Sequence, residues 1–158
     1  MKQKIQSASR EWFKRSLHDN DNIKRLVAMT IRLNPCNEID GSKAIKHFLD
    51  RLNRILLKSQ YTNGKRKLSC LTVREGNHRY DIHYHFCIEN PCTNNIDFND
   101  AAIKAWIEVR GFSHSLFRNE PPFIQFDVDE GWIDYITKFR SKSDWNEIFD
   151  PLNTHVGS

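Results

Sequence analysis

The order of strand-like and helix-like segments is the feature that most constrains the fold of this chain. Short β-branched or alternating apolar runs indicate strands, and stretches with apolar residues every three or four positions indicate helices. In chain order they are a strand at 25–33, a helix at 43–61, strands at 68–74 and 80–89, a helix at 99–109, a strand at 123–128 and a helix at 130–139. The order β-α-β-β-α-β-α predicts an α+β fold with a ferredoxin-like (RRM-like) antiparallel sheet and helices packed on one face.

Turn-forming residues set the expected boundaries of these segments. Asn34-Pro35 ends the first strand, because proline cannot continue a central strand. The turn 40–42 precedes the first long helix, and the Glu75-Gly76-Asn77-His78 turn predicts a hairpin between the second and third strands. We expect Gly111 to end the second long helix.

The length of the chain predicts a single domain. With 158 residues, of which 39% are hydrophobic, the chain can bury one ordinary core. Residues 1–24 are expected to form an N-terminal helical extension, which is either an appendage or a first core helix. Residues 25–145 are expected to form the core, and residues 146–158 a C-terminal tail that looks unstructured from Asn153 onward.

The composition favours a cytoplasmic protein without a membrane anchor. No apolar run approaches the ~18 residues that a membrane-spanning helix needs, and no secretory apolar region follows the first residues. The four cysteines form no C-x-x-C pair, and Cys70 and Cys87 lie in apolar strand-like runs, so we expect reduced and mostly buried thiols. The net charge of +4 permits an acidic partner without demanding a polyanion.

The third strand carries the residues that first suggest chemistry. Asp81, His83 and His85 alternate, so their side chains project from the same face of the strand. Two imidazoles about 7 Å apart along a strand can lean together and chelate one ion. A polar strand face with two structural histidines is the alternative interpretation.

A carboxylate near the two histidines would complete a metal site. Glu75 lies across the hairpin from them, and Asp81 is the rival third ligand because it already faces the correct way. Glu75 can instead be a solvated turn residue paired with Arg74 or Arg79. A site with two histidines and one carboxylate suits Mn²⁺ or Mg²⁺, and less specifically Zn²⁺, Co²⁺ or Ni²⁺.

The last predicted helix contains a Tyr-x-x-Lys pair. Tyr135 and Lys138 are three residues apart and therefore share one helix face. An ammonium group next to a phenol favours the phenolate or positions a phosphate, so Tyr135 is a candidate nucleophile. Taken alone the pair is weak, since a tyrosine on a short amphipathic helix usually serves packing.

Together these segments resemble the HUH endonuclease superfamily, specifically its single-tyrosine replication initiators, the Rep proteins. Three motifs of that family occur here in order over residues 25–140. They are an apolar strand with a central Thr30, the His83-Tyr84-His85 strand, and the helix with Tyr135 and Lys138. Glu75 occupies the position at which the family often has its acidic ligand.

The resemblance implies an HUH endonuclease architecture and an activity. Proteins of this family nick and join single-stranded DNA at a specific site through a 5′-phosphotyrosine intermediate and so initiate rolling-circle replication. By the resemblance, the site residues are His83, His85 and Glu75 as ligands of Mn²⁺ or Mg²⁺, Tyr135 as nucleophile and Lys138 as its assistant. The chain has no Gly-x-x-x-x-Gly-Lys-Ser/Thr loop, which predicts either a stand-alone nickase domain that works with a separate helicase or a piece of a longer Rep. The expected location is the cytoplasm or the replication compartment of a host cell.

Basic residues near the second strand are candidates for binding the DNA backbone, which carries one negative charge per nucleotide. The candidate DNA-binding residues are Asn63, Lys65, Arg66 and Lys67, with Arg32 and Arg79 as secondary choices. Asn63 could reach a base edge, whereas the cations would hold phosphates. A solvated basic loop without ligand is the alternative.

Three other functions remain open at this point. A single-tyrosine transposase of the same superfamily would prefer hairpin DNA to a replication origin. A non-catalytic module could bind single-stranded DNA or RNA by stacking bases on Tyr80, Tyr84 and Phe86. A metal-binding interaction domain would have no nucleic-acid partner.

Overall fold

A computed structural model describes residues 10–15, 18–19, 25–76, 81–113, 116–137 and 148–156. Residues 10–15 are helical. The elements that follow are β1 (Leu26–Leu33), α1 (Glu38–Leu57), α2 (Ser59–Thr62), β2 (Cys70–Glu75), β3 (Ile82–Glu89), α3 (Asn95–Ser113), β4 (Phe123–Val128), α4 (Glu130–Thr137), β5 (Ile148–Phe149) and a 3₁₀ turn at Pro151–Asn153.

The five strands form one sheet in the order β4-β1-β3-β2-β5, with every neighbouring pair antiparallel. The two central strands, β1 and β3, pair along their full lengths from Leu26 opposite Glu89 to Leu33 opposite Ile82. The predicted α+β class with an antiparallel sheet is confirmed, and the arrangement is compatible with a ferredoxin-like fold.

Asparagine caps explain why both long helices begin earlier than expected. The side chain of Asn37 accepts a hydrogen bond from the backbone N–H of Asp40 at 2.8 Å, so α1 starts at Glu38 and the predicted turn 40–42 lies inside the helix. Asn94 accepts from the N–H of Asp97 at 2.8 Å in the same way at the start of α3. The expected stop at Gly111 was also wrong, because α3 continues to Ser113.

The main core lies between one face of the sheet and the pair of helices α1 and α3. Every second residue of β3, including Tyr84 and Phe86, points to this face and is fully buried. Phe48 of α1 packs its ring against Phe86, and Phe98 of α3 meets Phe126 of β4 edge to face. The apolar residues spaced three and four apart in both helices therefore serve this core.

A second, smaller core covers part of the opposite face, so the expectation that all helices pack on one face was wrong. Phe13 from the helical residues 10–15 is fully buried together with Ile133 of α4 and with Val73 of β2. Lys14 pairs with Asp134 at 2.6 Å and ties the two helical segments together. The described part of the predicted N-terminal extension is thus part of the fold.

The C-terminal segment is ordered against the sheet, which corrects the expectation of an unstructured tail. β5 adds a fifth strand next to β2, and His155 exchanges two backbone hydrogen bonds with Cys70 at 2.7 and 2.8 Å. The side chain of Asn153 is buried and donates to Asp150 at 2.7 Å. Residues 148–156 satisfy the backbone edge of β2, which would otherwise stay open.

The structure bears on two expectations from the composition, one about the cysteines and one about membrane-spanning helices. All four cysteines are unpaired thiols, and Cys70 and Cys87 are buried as predicted. Within the described residues, no helix combines the length and the apolar character needed to cross a bilayer.

Candidate metal centre

The register of the three neighbouring strands β1, β3 and β2 places the candidate ligands on one face of the sheet. Glu75 at the end of β2 lies opposite His83, and Thr30 of β1 lies opposite His85. Directly opposed residues of antiparallel strands share a face. This is the face opposite the main core, on the side where α4 packs.

Glu75, His83 and His85 form a group that can hold a metal ion. Each offers one ligand atom, and these atoms all lie within 4.8 Å of one another. The carboxylate Oε2 of Glu75 is 2.6 Å from Nε2 of His85 and 3.5 Å from Nε2 of His83. The two imidazole rings meet edge to face at 5.2 Å between centroids. The carboxylate of Glu75 approaches Nε2 of both rings.

Asp81 lies on the other side of His83 and does not join this group. Its Oδ2 is 3.7 Å from Nδ1 of His83, whereas Glu75 approaches Nε2 of the same ring. Asp81 also pairs with Arg118 at 3.2 Å and with Arg32 at 3.6 Å. The geometry therefore favours Glu75 as the third ligand.

The alternative of a solvated Glu75 paired with arginine does not fit its surroundings. Glu75 contacts both imidazole rings, while Arg74 is buried and its guanidinium lies 3.9 Å from Glu38. Arg79 lies outside the described residues.

Thr30 supports His85 from the neighbouring strand. Its Oγ1 lies 2.9 Å from Nδ1 of His85, opposite the ring nitrogen that faces Glu75. A hydroxyl can donate or accept, so Thr30 can pair with either neutral tautomer of the ring. With a metal on Nε2, the Nδ1–H would donate to Thr30, which is how metal-binding histidines are usually oriented.

Burial keeps His85 in the neutral form that metal binding requires. Desolvation lowers the pKa of His85 below its ordinary value of 6.5, and the hydrogen bond and charge of Glu75 partly oppose that effect. A neutral imidazole has the lone pair that a metal needs, so no proton has to leave a histidinium at neutral pH.

Helix α4 brings the candidate nucleophile to the same region. The indole N–H of Trp132 donates to the carbonyl of Phe86 at 2.9 Å, and its ring meets His85 edge to face at 6.0 Å between centroids. The ring of Tyr135 stacks on that of Trp132 at 5.2 Å between centroids, and Tyr135 is half-exposed. Tyr135 is thus linked to His85 through the ring of Trp132, while Lys138 lies outside the described residues.

An open cleft of about 560 Å³ adjoins the two histidines, and its lining among the described residues contains no residue of α4. Thr30 and Arg32 of β1 form its floor with His83, and Phe123 at the start of β4 forms part of its wall. The ring of Phe123 is 70% exposed although it is large and apolar. Such a cleft, with one aromatic face and one guanidinium, can accept a base and a phosphate.

The basic loop that was expected to bind DNA lies elsewhere. Asn63, Lys65, Arg66 and Lys67 precede β2, at the end of that strand remote from Glu75, so the length of the strand, about 17 Å, separates its first residue from Glu75. Arg66 forms an ion pair with the buried Glu89 and thus has a structural role. Of the secondary candidates, Arg32 lies in the cleft beside the histidines.

Two of the three aromatic residues proposed for base stacking are not available for it. Tyr84 and Phe86 are fully buried on the core face of β3, away from the histidines. Tyr80 lies outside the described residues. The exposed Phe123 is the aromatic side chain that the structure offers in the cleft.

Sequence reasoning missed three residues of this region. Trp132 could have been identified from the sequence, because it is three positions before Tyr135 on the same short helix and therefore shares a helix face with it. Phe123 starts a strand whose residues alternate between exposed and half-buried, so its side could have been inferred from the pattern. Arg118 gave no signal, since its approach to Asp81 depends on how the segment between α3 and β4 folds back.

Comparisons with known proteins add no relative of this chain. No family model matches the chain, and no match is found among the curated proteins or the solved structures.

Proposed function

We propose that this protein is a metal-dependent enzyme that nicks and joins single-stranded DNA, with the HUH architecture of single-tyrosine replication initiators. The observation that carries the proposal is the grouping of Glu75, His83 and His85 next to a helix that presents a half-exposed Tyr135. The ordered motifs in the sequence support the same assignment.

The three ligands fit a divalent metal, for which Mn²⁺ or Mg²⁺ is proposed. Two imidazoles and one carboxylate leave positions for phosphate oxygen and water. When bound, the metal neutralises charge on the scissile phosphate and polarises its phosphorus–oxygen bonds. Thr30 holds the ring of His85 in place, and Glu75 supplies a negative charge that imidazole ligands do not carry.

The proposed reaction is a transesterification. The phenol oxygen of Tyr135 loses its proton to solvent and bonds to phosphorus, while the bond from phosphorus to the 3′ oxygen breaks. The 3′ oxygen takes up a proton and leaves as a free hydroxyl, so one phosphodiester is exchanged for a 5′-phosphotyrosine and no energy source is needed. The reverse reaction rejoins the strand. Lys138 is proposed to stabilise the phenolate, on the basis of the family resemblance.

The cleft beside the histidines is proposed to hold the strand that is cut. Among the described residues, the carboxylates that pair with Arg32 are those of Asp81 and Glu120, which are partly exposed and lie at 3.6 and 3.8 Å, so a phosphate can compete for it. Phe123 offers an exposed ring for one base. Unpaired bases are required for such stacking, and this favours a single strand over a duplex at this position.

The proposed biological role is the initiation of rolling-circle replication, with a separate helicase to unwind the template. A single-tyrosine transposase uses the same chemistry. A preference for the hairpin ends of an insertion element over a replication origin would indicate the transposase.

The test is the formation of a covalent protein–DNA adduct. The protein is incubated with an end-labelled pool of single-stranded oligonucleotides and Mn²⁺, with or without EDTA, and then denatured and separated by electrophoresis. We expect an adduct with Mn²⁺ that is lost with EDTA and in Tyr135→Phe. Tyr84→Phe is the matched control, because Tyr84 is a buried phenol on the opposite face of the sheet and its loss should leave the adduct intact.

Two results would contradict parts of this proposal. Tight binding of the pool without any adduct, unaffected by EDTA, would contradict the nickase and indicate a non-catalytic single-strand binding module. An adduct that persists in Tyr135→Phe would remove Tyr135 from the role of nucleophile.

A further inference from the structure

The helical residues 10–15 share a buried core with α4, the helix that carries Tyr135. Phe13 is fully buried in the same cluster as Ile133 and Ile136 of α4. The cluster has six buried side chains among the described residues, and Phe13 is the largest of them. The N-terminal segment therefore contributes a large part of the apolar surface against which α4 can be held.

Two charged contacts also join the N-terminal residues to α4. The ammonium Nζ of Lys14 lies 2.6 Å from Oδ1 of Asp134, and Nε2 of His18 lies 2.7 Å from a carboxylate oxygen of Glu130. The side chain of Lys14 is 19% exposed, so water and salt screen its pair less than an ordinary surface pair. The side chain of His18 is 71% exposed, so its contact should contribute little. Lys14 is therefore the charged residue that matters most for this attachment.

The residues of α4 that meet the N-terminal segment lie on the flank opposite Tyr135. Glu130 and Asp134 are four residues apart and share one side of the helix, while Trp132 and Tyr135 are three apart and share another. The two buried isoleucines lie between these flanks and face the core. One flank of α4 is thus held by the N-terminal segment, and the other by the hydrogen bond from the indole of Trp132 to the carbonyl of Phe86.

α4 needs such contacts because it is short. It has eight residues, and isolated helices shorter than ~12–15 residues are only marginally stable in water. Its position and its rotation about its own axis are therefore set by tertiary contacts. A rotation would carry the phenol of Tyr135 with it, and a displacement of a reacting group by about 1 Å can cost about 100-fold in rate.

We propose that residues 10–15 form a latch that fixes the rotation of α4, with Lys14 as a positioning residue for Tyr135. Lys14 holds one flank and Trp132 the other, so α4 cannot roll without breaking one of the two contacts. Lys14 is not one of the candidate metal ligands and is not in the described lining of the cleft beside the histidines, so it acts through α4.

The role of the latch in catalysis rests on the proposed function, whereas the latch itself is a property of the fold. It can be measured without DNA or metal by hydrogen exchange of the backbone amides, detected by mass spectrometry in EDTA. Lys14→Met removes the ammonium group and keeps an unbranched side chain of good helix propensity. We expect amides within α4 to exchange about five- to tenfold faster in this variant, while amides of α3, on the other side of the sheet, stay within about twofold.

Arg15→Met is the matched control. Arg15 is the next residue of the same helical segment, is exposed and forms no ion pair with another described residue, and its substitution deletes the same charge. We expect exchange of α4 within about twofold of the unmodified protein. Asp134→Asn should accelerate exchange about as much as Lys14→Met does, and the double variant should show little further increase, because both substitutions break one contact.

The second measurement is the single-turnover rate of adduct formation at saturating DNA and Mn²⁺. We expect Lys14→Met to lower this rate about three- to tenfold and Arg15→Met to leave it nearly unchanged. The affinity for Mn²⁺ should stay within about twofold in both variants, because neither residue belongs to the metal group.

The two measurements separate the latch from the nickase. Exchange that is unchanged in α4, or that rises equally in α3 and α4, would overturn the latch, since Lys14 would then affect nothing or only overall stability. Faster exchange in α4 alone with an unchanged rate of adduct formation would overturn the role of Lys14 in positioning Tyr135. An unmodified protein that forms no adduct would contradict the nickase, and exchange in α4 would still decide whether the latch exists.

Discussion

The carboxylate of Glu75 lies 2.6 Å from Nε2 of His85, the same atom that would bind a metal. The contact crosses from β2 to β3, since Glu75 is opposite His83 and reaches diagonally toward His85. Without an ion the carboxylate accepts a proton held by that nitrogen, and with an ion both groups would become ligands. Metal binding is therefore expected to shift the tautomer of His85, which Thr30 can accommodate.

Glu75 and Asp81 approach different nitrogens of the His83 ring, so replacing each carboxylate by its amide should change Mn²⁺ affinity by different amounts. Glu75→Gln removes a charged ligand and should lower Mn²⁺ affinity by about 100-fold or more, whereas Asp81→Asn removes a carboxylate on the far side of His83 and should cost about tenfold or less. Both substitutions delete one negative charge, so each controls for the other. Isothermal titration with Mn²⁺ measures the difference, and a larger loss in Asp81→Asn would reverse the assignment of the third ligand.

Thr30 is predicted to set metal affinity through its hydrogen bond to His85. Thr30→Val preserves the shape of the side chain but removes the hydroxyl, and it leaves Nδ1 of a half-buried ring without this partner. We expect a loss of about 10- to 100-fold in Mn²⁺ affinity. Thr30→Ser keeps the hydroxyl and should retain most of the affinity. If the two variants bind Mn²⁺ equally, the hydrogen bond has no role in orienting the ring.

The metal group was predictable because it depends on short-range rules. The alternation of His83 and His85 fixes their common face, and a hairpin turn of known position brings Glu75 opposite His83. The choice between Glu75 and Asp81 was not predictable, since both carboxylates are close in sequence. It depends on which side of the His83 ring each one reaches, and this is decided by side-chain packing.

Features that depend on contacts between distant parts of the chain could not be predicted from the sequence. β5 has two residues, too few to show a period, and its place beside β2 depends on the open backbone edge of that strand. A cleft of about 280 Å³ is lined by residues of α1 together with Lys67 and Leu152, which lie far apart in the chain. The basic loop was recognised as a candidate, but its distance from Glu75 follows only from the direction of β2.

The lowered pKa of His85 predicts a loss of stability in acid. The unfolded chain binds a proton near pH 6.5 while the folded protein resists it, so the unfolded state holds more protons in the interval between the two pKa values. The free energy of unfolding should be highest above pH 6.5 and should fall as the pH decreases through the folded pKa, by about 1.4 kcal/mol per unit of pKa difference.

Urea unfolding in EDTA between pH 7.5 and pH 5 measures this loss. Glu75→Gln should steepen it, because the carboxylate is what partly restores the pKa of His85. His155, whose pKa is also lowered, contributes to the same trend, and His155→Gln separates its share. A free energy of unfolding that is independent of pH in the unmodified protein would contradict both shifts.

Gly76 is predicted to be indispensable for the hairpin that carries Glu75. Its φ is +88°, and a Cβ at this position would lie 2.1 Å from the carbonyl oxygen of Asp81. Gly76→Ala should lower the free energy of unfolding by more than about 2 kcal/mol and weaken Mn²⁺ binding. Gly64 has φ +68° with no neighbour within 4 Å, so Gly64→Ala should cost only about 1–2 kcal/mol and leave Mn²⁺ binding unchanged. Equal losses of stability in Gly76→Ala and Gly64→Ala would mean that the close approach of residue 76 to the carbonyl oxygen of Asp81 is not maintained in solution.

Trp132 is predicted to position Tyr135 without contributing to metal binding. Its indole N–H anchors α4 to the carbonyl of Phe86, and one face of its ring stacks on Tyr135. Trp132→Leu removes both contacts, so the phenol should sample more positions and the single-turnover rate of adduct formation should fall about tenfold or more at saturating DNA. The affinity for Mn²⁺ should stay within about threefold, because Trp132 is not one of the candidate ligands and Glu75 lies against Nε2 of His85.

Trp106→Leu is the matched control, since Trp106 is a buried tryptophan of α3 on the opposite side of the sheet. It should reduce the melting temperature at least as much as Trp132→Leu, because a large core side chain is lost. Measured well below that temperature, it should leave the rate of adduct formation nearly unchanged. If both variants slow the reaction equally, the effect of Trp132 is one of stability and not of position. A selective loss in Trp132→Leu would mean that α4 is held in place mainly to present Tyr135.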